Sequence, residues 1–445
     1  QRYHLTPVQM ILFFYSLSIL LSTILLSLPI SQQEGVDTTF IDILFTAVSA
    51  LSVTGLTPIS ISETFSPLGI IFIAIMLQIG AVGIMAIGTF IWLLLGKKIG
   101  IQERQLIVTD QNQISFGGVV RLMKQIIYVF IIFELISFLI LGTYFLNYFP
   151  TAKEAYFHGF FATISAISNG GFDLTGKSLI PFQNDYFVQM MHMLLIVIGA
   201  IGFPVLIEVK EFLFTKRDKR KQFQFSLFTK LTTTTFFTLI ILGTLLIFVL
   251  DFQGYFAHMS WHKTFFQALF QSVTTRSGGL STLPIHELSD ENHLFMSLLM
   301  FIGASPSSAG GGIRTTTFAL MVIFIITYAR GGKSIKLFKR EVYEEDLMKA
   351  VTVILMAIAL VFSSTLVLSM IEPFNLQQIL FEVTSAFGTV GLSLGITSEL
   401  TVLSKTILML LMFIGRVGII TFLFSFQSKN KNGNYRYPKE RIIIG

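Results

Sequence analysis

Four stretches of this chain align with one another without a gap: FTAVSALSVTGL (45–56), FATISAISNGGF (161–172), LFQSVTTRSGGL (269–280) and FEVTSAFGTVGL (381–392). Each is apolar, seeded with small and hydroxyl side chains, and ends in a glycine followed by Leu or Phe. The shared glycines, Gly55, Gly171, Gly279 and Gly391, lie 116, 108 and 112 residues apart. A second signature follows each one: QIGAVG (78–83), VIGAIG (197–202), FIGASP (301–306) and FIGRVG (413–418). Two signatures in the same order, at near-constant spacing in every quarter, mark one unit used four times.

Long apolar runs flank the signatures. A first set lies near 8–29, 122–147, 229–251 and 349–371, and a second near 69–95, 186–213, 294–330 and 403–428. With 53% hydrophobic and only 13% charged residues, the chain reads as an integral membrane protein. The apolar runs between these sets (about 40–51, 155–167, 264–275 and 376–387) hold near twelve residues. A helix of that length falls well short of roughly 30 Å of hydrocarbon, so these runs dip in and return. Non-helical backbone at membrane depth is tolerated only where it is buried in protein or lines a water-filled path. The expected fold is therefore all-α, with four parallel helix–pore-loop–helix repeats giving eight spans and four re-entrant pore helices around a pseudo-fourfold pore. The repeats read as 1–110, 111–222, 223–342 and 343–428, with a tail at 429–445. Two spans per unit start every repeat on the same side, which disfavours inverted-repeat architectures.

The net charge of +6 is organised rather than diffuse. Basic clusters follow every second long run: Lys97, Lys98 and Arg104; Lys216 to Lys221; Arg330, Lys333, Lys336, Lys339 and Arg340; and the tail from Lys429 to Arg441. The alternate connections are acid-rich, which is the positive-inside pattern repeated four times. Both termini are expected on the cytoplasmic side of a bacterial cell membrane, and nucleic acid is not an expected partner. The first run, Val8 to Leu28, is too long for a signal-peptide core and reads as a retained span. No cysteine is present, so neither disulfides nor thiolate metal sites are available.

A short helix aimed at an axis presents a partial negative charge at its C-terminus. The strand beyond it can turn carbonyl oxygens inward where glycine permits the backbone, and four such strands make rings that replace a cation's hydration shell. The expected ring-formers are Val53, Thr54 and Gly55; Asn169, Gly170 and Gly171; Ser277, Gly278 and Gly279; and Thr389, Val390 and Gly391. No two of these strings agree, so the ring should be chemically asymmetric.

The third repeat breaks its own second helix. SPSSAGGGIRTTT (305–317) places Ser305, Pro306 and the triplet Gly310, Gly311 and Gly312 at the depth of the second signature. Such a loop can lie across the pore just below the glycine strands. Two arginines sit at this level, Arg314 within the loop and Arg416 at the position held by Ala81, Ala200 and Ala304 in the other repeats. A charge at mid-membrane is functional or paired as a rule. Arg416 is expected either to gate cations beside the loop or to satisfy its carbonyls, and the two roles are compatible.

The SVTGL, SNGGF, RSGGL and TVGL loops, the fourfold plan and the break in the third repeat resemble the Trk/Ktr/HKT superfamily of potassium transporters over essentially the whole chain, and most closely the bacterial Ktr-type membrane subunit. Glycine at all four loop positions goes with potassium conduction in that family, and serine in the first loop goes with sodium preference in some members. Gly55 therefore implies K⁺, with Na⁺ as a possible co-stimulant and no organic cofactor. The resemblance further implies that the broken segment is an intramembrane gate flanked by Arg416. It also implies a homodimer with one pore per protomer, seated on a cytosolic ring of nucleotide-binding RCK/KTN-type subunits and surrounded by membrane lipid.

Other residues leave alternatives open. Glu134, mid-run in repeat 2, is a proton or sodium site or a structural carboxyl at a helix interface. Asp42 and Glu382 either concentrate cations at an outer mouth or are solvated surface charge. Arg276 reads as a brace for the third loop, and the tail YPKERIIIG as a dock for a partner protomer. The seven histidines show no metal-ligand spacing, and no Walker A or GxGxxG stretch appears, so neither nucleotide chemistry nor enzyme activity is expected. Two rival functions remain: a sodium-preferring or unselective cation pathway of the same fold, and a secondary transporter of an organic solute coupled through Glu134.

Overall fold

The structure, a computed structural model, describes residues 6–83, 104, 108, 118–215, 222–332 and 334–425. The basic clusters at 97–98 and 216–221, Lys333, and the tail from 429 lie outside the described residues. Each quarter opens with a long apolar helix: α1 (Pro7–Ser27), α4 (Val119–Phe145), α8 (Leu227–Leu250) and α12 (Glu344–Ile371). These are the helices long and apolar enough to cross a membrane among the described residues. Their outward faces carry exposed Leu20, Leu139, Leu245 and Phe362. A short helix follows in each quarter: α2 (Phe40–Ser52), α5 (Ala152–Ile167), α9 (Trp261–Thr274) and α13 (Leu376–Gly388). Thr39 and Thr151 cap two of them through their hydroxyls, and Asn375 with Gln378 forms a capping box on a third.

The second helices are α3 (Pro67–Val82), α6 (Tyr186–Ala200), α10 (Asp290–Ile302) and α14 (Val402–Val417). The continuous helices expected at 186–213 and 403–428 are instead interrupted. After α6 the chain turns by 104° into α7 (Phe203–Phe214), and after α14 it restarts as α15 (Ile419–Ser425). The cause is the last glycine of the second signature. Gly83, Gly202 and Gly418 all take a left-handed φ, of 100°, 105° and 95°; Gly83 and Gly418 cap the ends of α3 and α14, and Gly202 makes the turn between α6 and α7. In the third repeat that position is Pro306, and the helix stops earlier, at Gly303 (φ 70°). Residues 303–314 then run without helix until α11 (Thr315–Ala329).

The first glycine of the signature has a separate reason. A side chain on Gly80, Gly199 or Gly415 would run into the carbonyl oxygen of Leu51, Ile167 or Phe387, each four residues before the glycine that ends the short helix's loop. Glycine there lets the second helix close directly on the tip of the first. Elsewhere the core is ordinary close packing of Leu, Ile, Val and Phe, with Phe45, Phe161, Phe270 and Phe381 fully buried. Repeats 1 and 4 meet through α2 and α14, where Lys405 Nζ lies 2.8 Å from Asp42 Oδ1.

The gapless alignment needs one correction. In repeats 1, 2 and 4 the residue two before the glycine is left-handed (Val53 56°, Asn169 58°, Thr389 48°), and the next amide reaches back five residues, to Ser49, Ser165 and Ser385. In repeat 3 Ser277 has φ 151°, and Gly278 N bonds Thr274 O only four residues back. Thr274, not Val273, is thus the counterpart of those serines, and the third short helix is offset by one residue.

Candidate functional site

The tips of the four short helices converge. A methyl group built on Gly55 would lie 2.5 Å from the Gly170 oxygen, and one on Gly171 would lie 3.0 Å from Gly279 Cα. One on Gly279 would strike the Val390 oxygen, and one on Gly391 the Thr54 oxygen. These approaches run from repeat 1 to 2, 2 to 3, 3 to 4 and back to 1, so the glycines close a ring. All four have left-handed φ, between 67° and 99°. The geometry admits no side chain at these places, on grounds of both space and backbone conformation. It brings the carbonyls of Thr54, Gly170, Gly278 and Val390 together at the glycines. Of the residues expected in the ring, all are buried at this junction except Gly279 and Gly391, which are half-buried.

Hydroxyls from the short helices pin the strands. Ser49 Oγ accepts from Gly55 N (3.0 Å) and Ser385 Oγ from Gly391 N (3.1 Å). Ser165 Oγ donates to Phe172 O and Thr274 Oγ1 to Leu280 O, each at 2.6 Å. The sequence reading overlooked all four, although a serine six residues before the glycine in three aligned repeats was a visible signal. On one side the ring opens into a bowl of about 510 Å³ whose lining includes all four glycines.

On the other side lies the non-helical segment 303–314. A methyl on Gly310 would meet Ser277, and one on Gly311 would meet Thr389, so the triplet sits directly against the ring strands. Ser305 N bonds Ala200 O (3.0 Å), Ala309 N bonds Gly199 O (2.9 Å) and Phe203 N bonds Ser307 O (2.7 Å), tying the segment to repeat 2. Arg416, from repeat 4, reaches the carbonyls of Ser308, Ala309 and Gly310 with one nitrogen and those of Gly80 and Ala81 with the other. The segment from repeat 3 is thereby held to repeats 2, 4 and 1. Arg314 donates back to Ser305 and Gly310 within the segment, and Ser308 Oγ bonds Ser305 O at 2.6 Å. Two guanidiniums on one short stretch of backbone satisfy carbonyls that a broken helix leaves free.

A match to the family described as "TrkH: Cation transport protein" covers residues 8–436. The chain is 56% identical to Ktr system potassium uptake protein D of Bacillus subtilis, across 99% of this chain and 98% of that one. It is 32% identical to the potassium/sodium uptake protein NtpJ of Enterococcus hirae, across 100% and 98%. The chain belongs to the TrkH family. The solved structure of the potassium transporter TrkH from Vibrio parahaemolyticus superposes with a TM-score of 0.73 at 19% identity, covering 96% of this chain and 86% of that one, which shows a shared fold. A TrkH-family chain with four such apolar helices is embedded in a membrane and crosses it more than once.

Within this TrkH-family chain, several charged residues stand apart from their expected settings. Glu382 is not solvated: it is fully buried behind Ser393 and Thr397, two residues that line the bowl, and accepts from both (Thr397 at 2.7 Å). Asp42 is no free surface charge either, because it pairs with Lys405 and accepts from Thr39 Oγ1 at 2.6 Å. Asp42 is held by a partner from the opposite end of the chain, and Glu382 by hydroxyls of the loop that follows its own helix. Glu134 accepts from Gln78 of α3, the setting of a carboxyl at a helix interface. Arg276 is fully buried behind the third strand and donates to Leu299 O at 2.7 Å, as a brace would.

Proposed function

We propose that the chain is a potassium uptake pathway, in which the glycine ring is a carbonyl selectivity filter and residues 303–314 are a gate. The observation that carries this is the closed ring of four glycines bringing together four backbone carbonyls beneath an open bowl, since carbonyl rings replace the hydration shell of a cation. The relative at 56% identity is named a potassium uptake protein. The filter consists of Val53, Thr54, Gly55; Asn169, Gly170, Gly171; Ser277, Gly278, Gly279; and Thr389, Val390, Gly391. The gate is the segment with Ser305, Pro306, Gly310 to Gly312 and Arg314, latched by Arg416. Eight spans in four parallel repeats, with the bowl outside and both termini in the cytoplasm, belong to the same proposal. What supports it is four long apolar helices, four short helices meeting at their tips, and broken second helices that continue beyond the break.

Assembly as a homodimer on a cytosolic nucleotide-binding ring is part of the proposal too. Its support on this chain is the basic hairpin at 336–341, with exposed Lys336, Lys339 and Arg340. A sodium-carrying variant of the same function has one observation behind it, the potassium/sodium uptake protein among the relatives. The organic-solute reading has none, since Glu134 is engaged by Gln78.

The test is ion flux in proteoliposomes, K⁺ against Na⁺, for the wild type and for Gly55→Ser. Potassium-selective flux that loses its selectivity on substitution is the expected result. Flux indifferent to Gly55 would mean that the ring is a packing element.

A further inference from the structure

Two residues beyond each ring glycine stand Thr57, Asp173, Ser281 and Ser393, and all four line the bowl. Three are hydroxyls already engaged: Thr57 Oγ1 donates to Ile59 O (2.8 Å), Ser281 Oγ to Leu283 O (2.7 Å) and Ser393 Oγ to Glu382. In repeat 2 the same place holds a carboxylate. Asp173 Oδ2 accepts from Thr175 Oγ1 (2.8 Å) and Ser178 N (3.1 Å), while Oδ1 receives no hydrogen bond from the described residues.

The local turn does not require that charge. Thr57 and Ser281 accept from the amides of Ile59 and Leu283 (3.3 Å each), and Ser393 accepts from Gly395 N (2.9 Å), so neutral oxygens hold the equivalent turns in the other three repeats. Asp173 is also the one carboxylate among the residues lining the bowl. The basic residues there, Lys177 and His286, are exposed, and neither forms an ion pair with it among the described residues. A fixed negative charge in a concave wall focuses its field into the cavity, and its reach is limited by screening to about 8 Å at physiological salt. Asp173 is two residues from the ring glycine Gly171, so the two Cα atoms are at most about 7.6 Å apart and the mouth of the ring falls within that reach.

We infer that Asp173 is the affinity-determining residue of the bowl, drawing a partly hydrated monovalent cation to the mouth of the carbonyl ring through its free carboxylate oxygen. The inference rests on the pathway proposed above and deepens it. It makes the entrance one-sided, with the second repeat supplying the charge and the other three supplying neutral rim. Its effect is on the concentration at which the pathway fills, not on the rate at which a filled pathway conducts.

The test is K⁺ flux in proteoliposomes as a function of external K⁺, for the wild type, Asp173→Asn and Asp173→Asn combined with Thr57→Asp. Asparagine keeps an oxygen for Ser178 N, so the turn is preserved. The single substitution is expected to raise the half-saturating K⁺ concentration about threefold to tenfold with the maximal flux unchanged. Moving the charge to position 57 of the adjacent repeat should restore most of the loss. In the wild type, external choline chloride should raise the half-saturating concentration, and in Asp173→Asn it should do so far less. An unchanged half-saturation in Asp173→Asn, or a lower maximal flux that the charge at position 57 does not repair, would overturn the inference while leaving the pathway standing. A wild type insensitive to choline chloride would overturn it without any variant. A wild type that passes no K⁺ at all would remove the pathway and this inference with it.

Discussion

The two layers on either side of Ser277 and Thr389 are built by opposite means. Above, four strands with different side chains, from VTG to NGG, SGG and TVG, and with a different local backbone in the third, converge on one closed ring because each ends in a left-handed glycine with no room for a Cβ. Below, the repeats stop being equivalent: one contributes a twelve-residue loop, one an arginine, and the other two the backbone groups that hold them. The ring closes in all four repeats because a left-handed glycine is tolerant of the side chains beside it. The loop is asymmetric because hydrogen bonds between a guanidinium and named carbonyls are not. Selectivity is suited to the first construction and regulation to the second, since a rigid ring must not move and a latch held by side-chain hydrogen bonds can be released.

The largest expected effect falls on the ring. In Gly279→Ala the new methyl would lie 2.8 Å from Gly171 Cα, against backbone that cannot yield, and at φ 69°. Overpacking of about 1–3 kcal/mol adds to a left-handed backbone cost of about 1–2 kcal/mol, and K⁺ flux in proteoliposomes should fall to background. Gly395→Ala is the control: its φ is 90°, but nothing lies within 4 Å of the added methyl. It should retain flux; if the two variants behave alike, close approach is not what the ring glycines provide.

A smaller effect of opposite sign belongs to the latch. Arg416→Ala removes charged hydrogen bonds worth about 1.5–3 kcal/mol apiece from the loop, and unregulated K⁺ flux should rise about tenfold. Arg416→Lys should fall between, because one ammonium cannot span carbonyls of Gly80 and Ala309 on opposite sides of the guanidinium. Unchanged flux in Arg416→Ala would make the arginine a structural tie and not a latch.

The smallest effect separates both layers from the outer rim. Burial alone would raise the Glu372 carboxyl, but hydrogen bonds from Ser404 and Thr401 and the nearby Lys405 ammonium outweigh it and hold the group below the usual carboxylate range. A carboxyl whose folded value is depressed stabilises the fold fully near neutrality and loses that contribution as pH falls below about 4.3. Melting of the purified protein across the acid range should be shallower in Glu372→Gln than in the wild type. Identical acid limbs would remove Glu372 from the rim's stability.

Much of this was legible without coordinates. The repeat, the placement of long and short helices, the ring glycines and a break in the third repeat are written in local pattern, because hydrophobic period, helix length and glycine dihedrals act over a few residues; the break expected at 305–317 lies at 303–314, with Thr315 to Thr317 already helical. Repetition amplified each signal fourfold. What local pattern misled was the second helices, read as continuous through Gly202 and Gly418, where an apolar run conceals a glycine that stops the helix. It also hid the one-residue offset in repeat 3, which only the hydrogen bond from Gly278 to Thr274 exposes.

The charged residues divide the same way. Sequence by itself determined that Arg416 sits at an alanine position in membrane and must find partners. It did not determine that those partners are carbonyls of repeats 3 and 1, more than a hundred and more than three hundred residues earlier in the chain. Solvated surface charge was one reading of Asp42 and Glu382; Lys405, arriving from the opposite end of the chain, pairs with the half-buried Asp42, and the fold-back of the loop carrying Ser393 and Thr397 encloses Glu382. Backbone preference is a property of a residue and its neighbours, so it can be read from sequence. The environment of a charge is set by whatever the folded chain brings beside it, so only the tertiary structure could decide it.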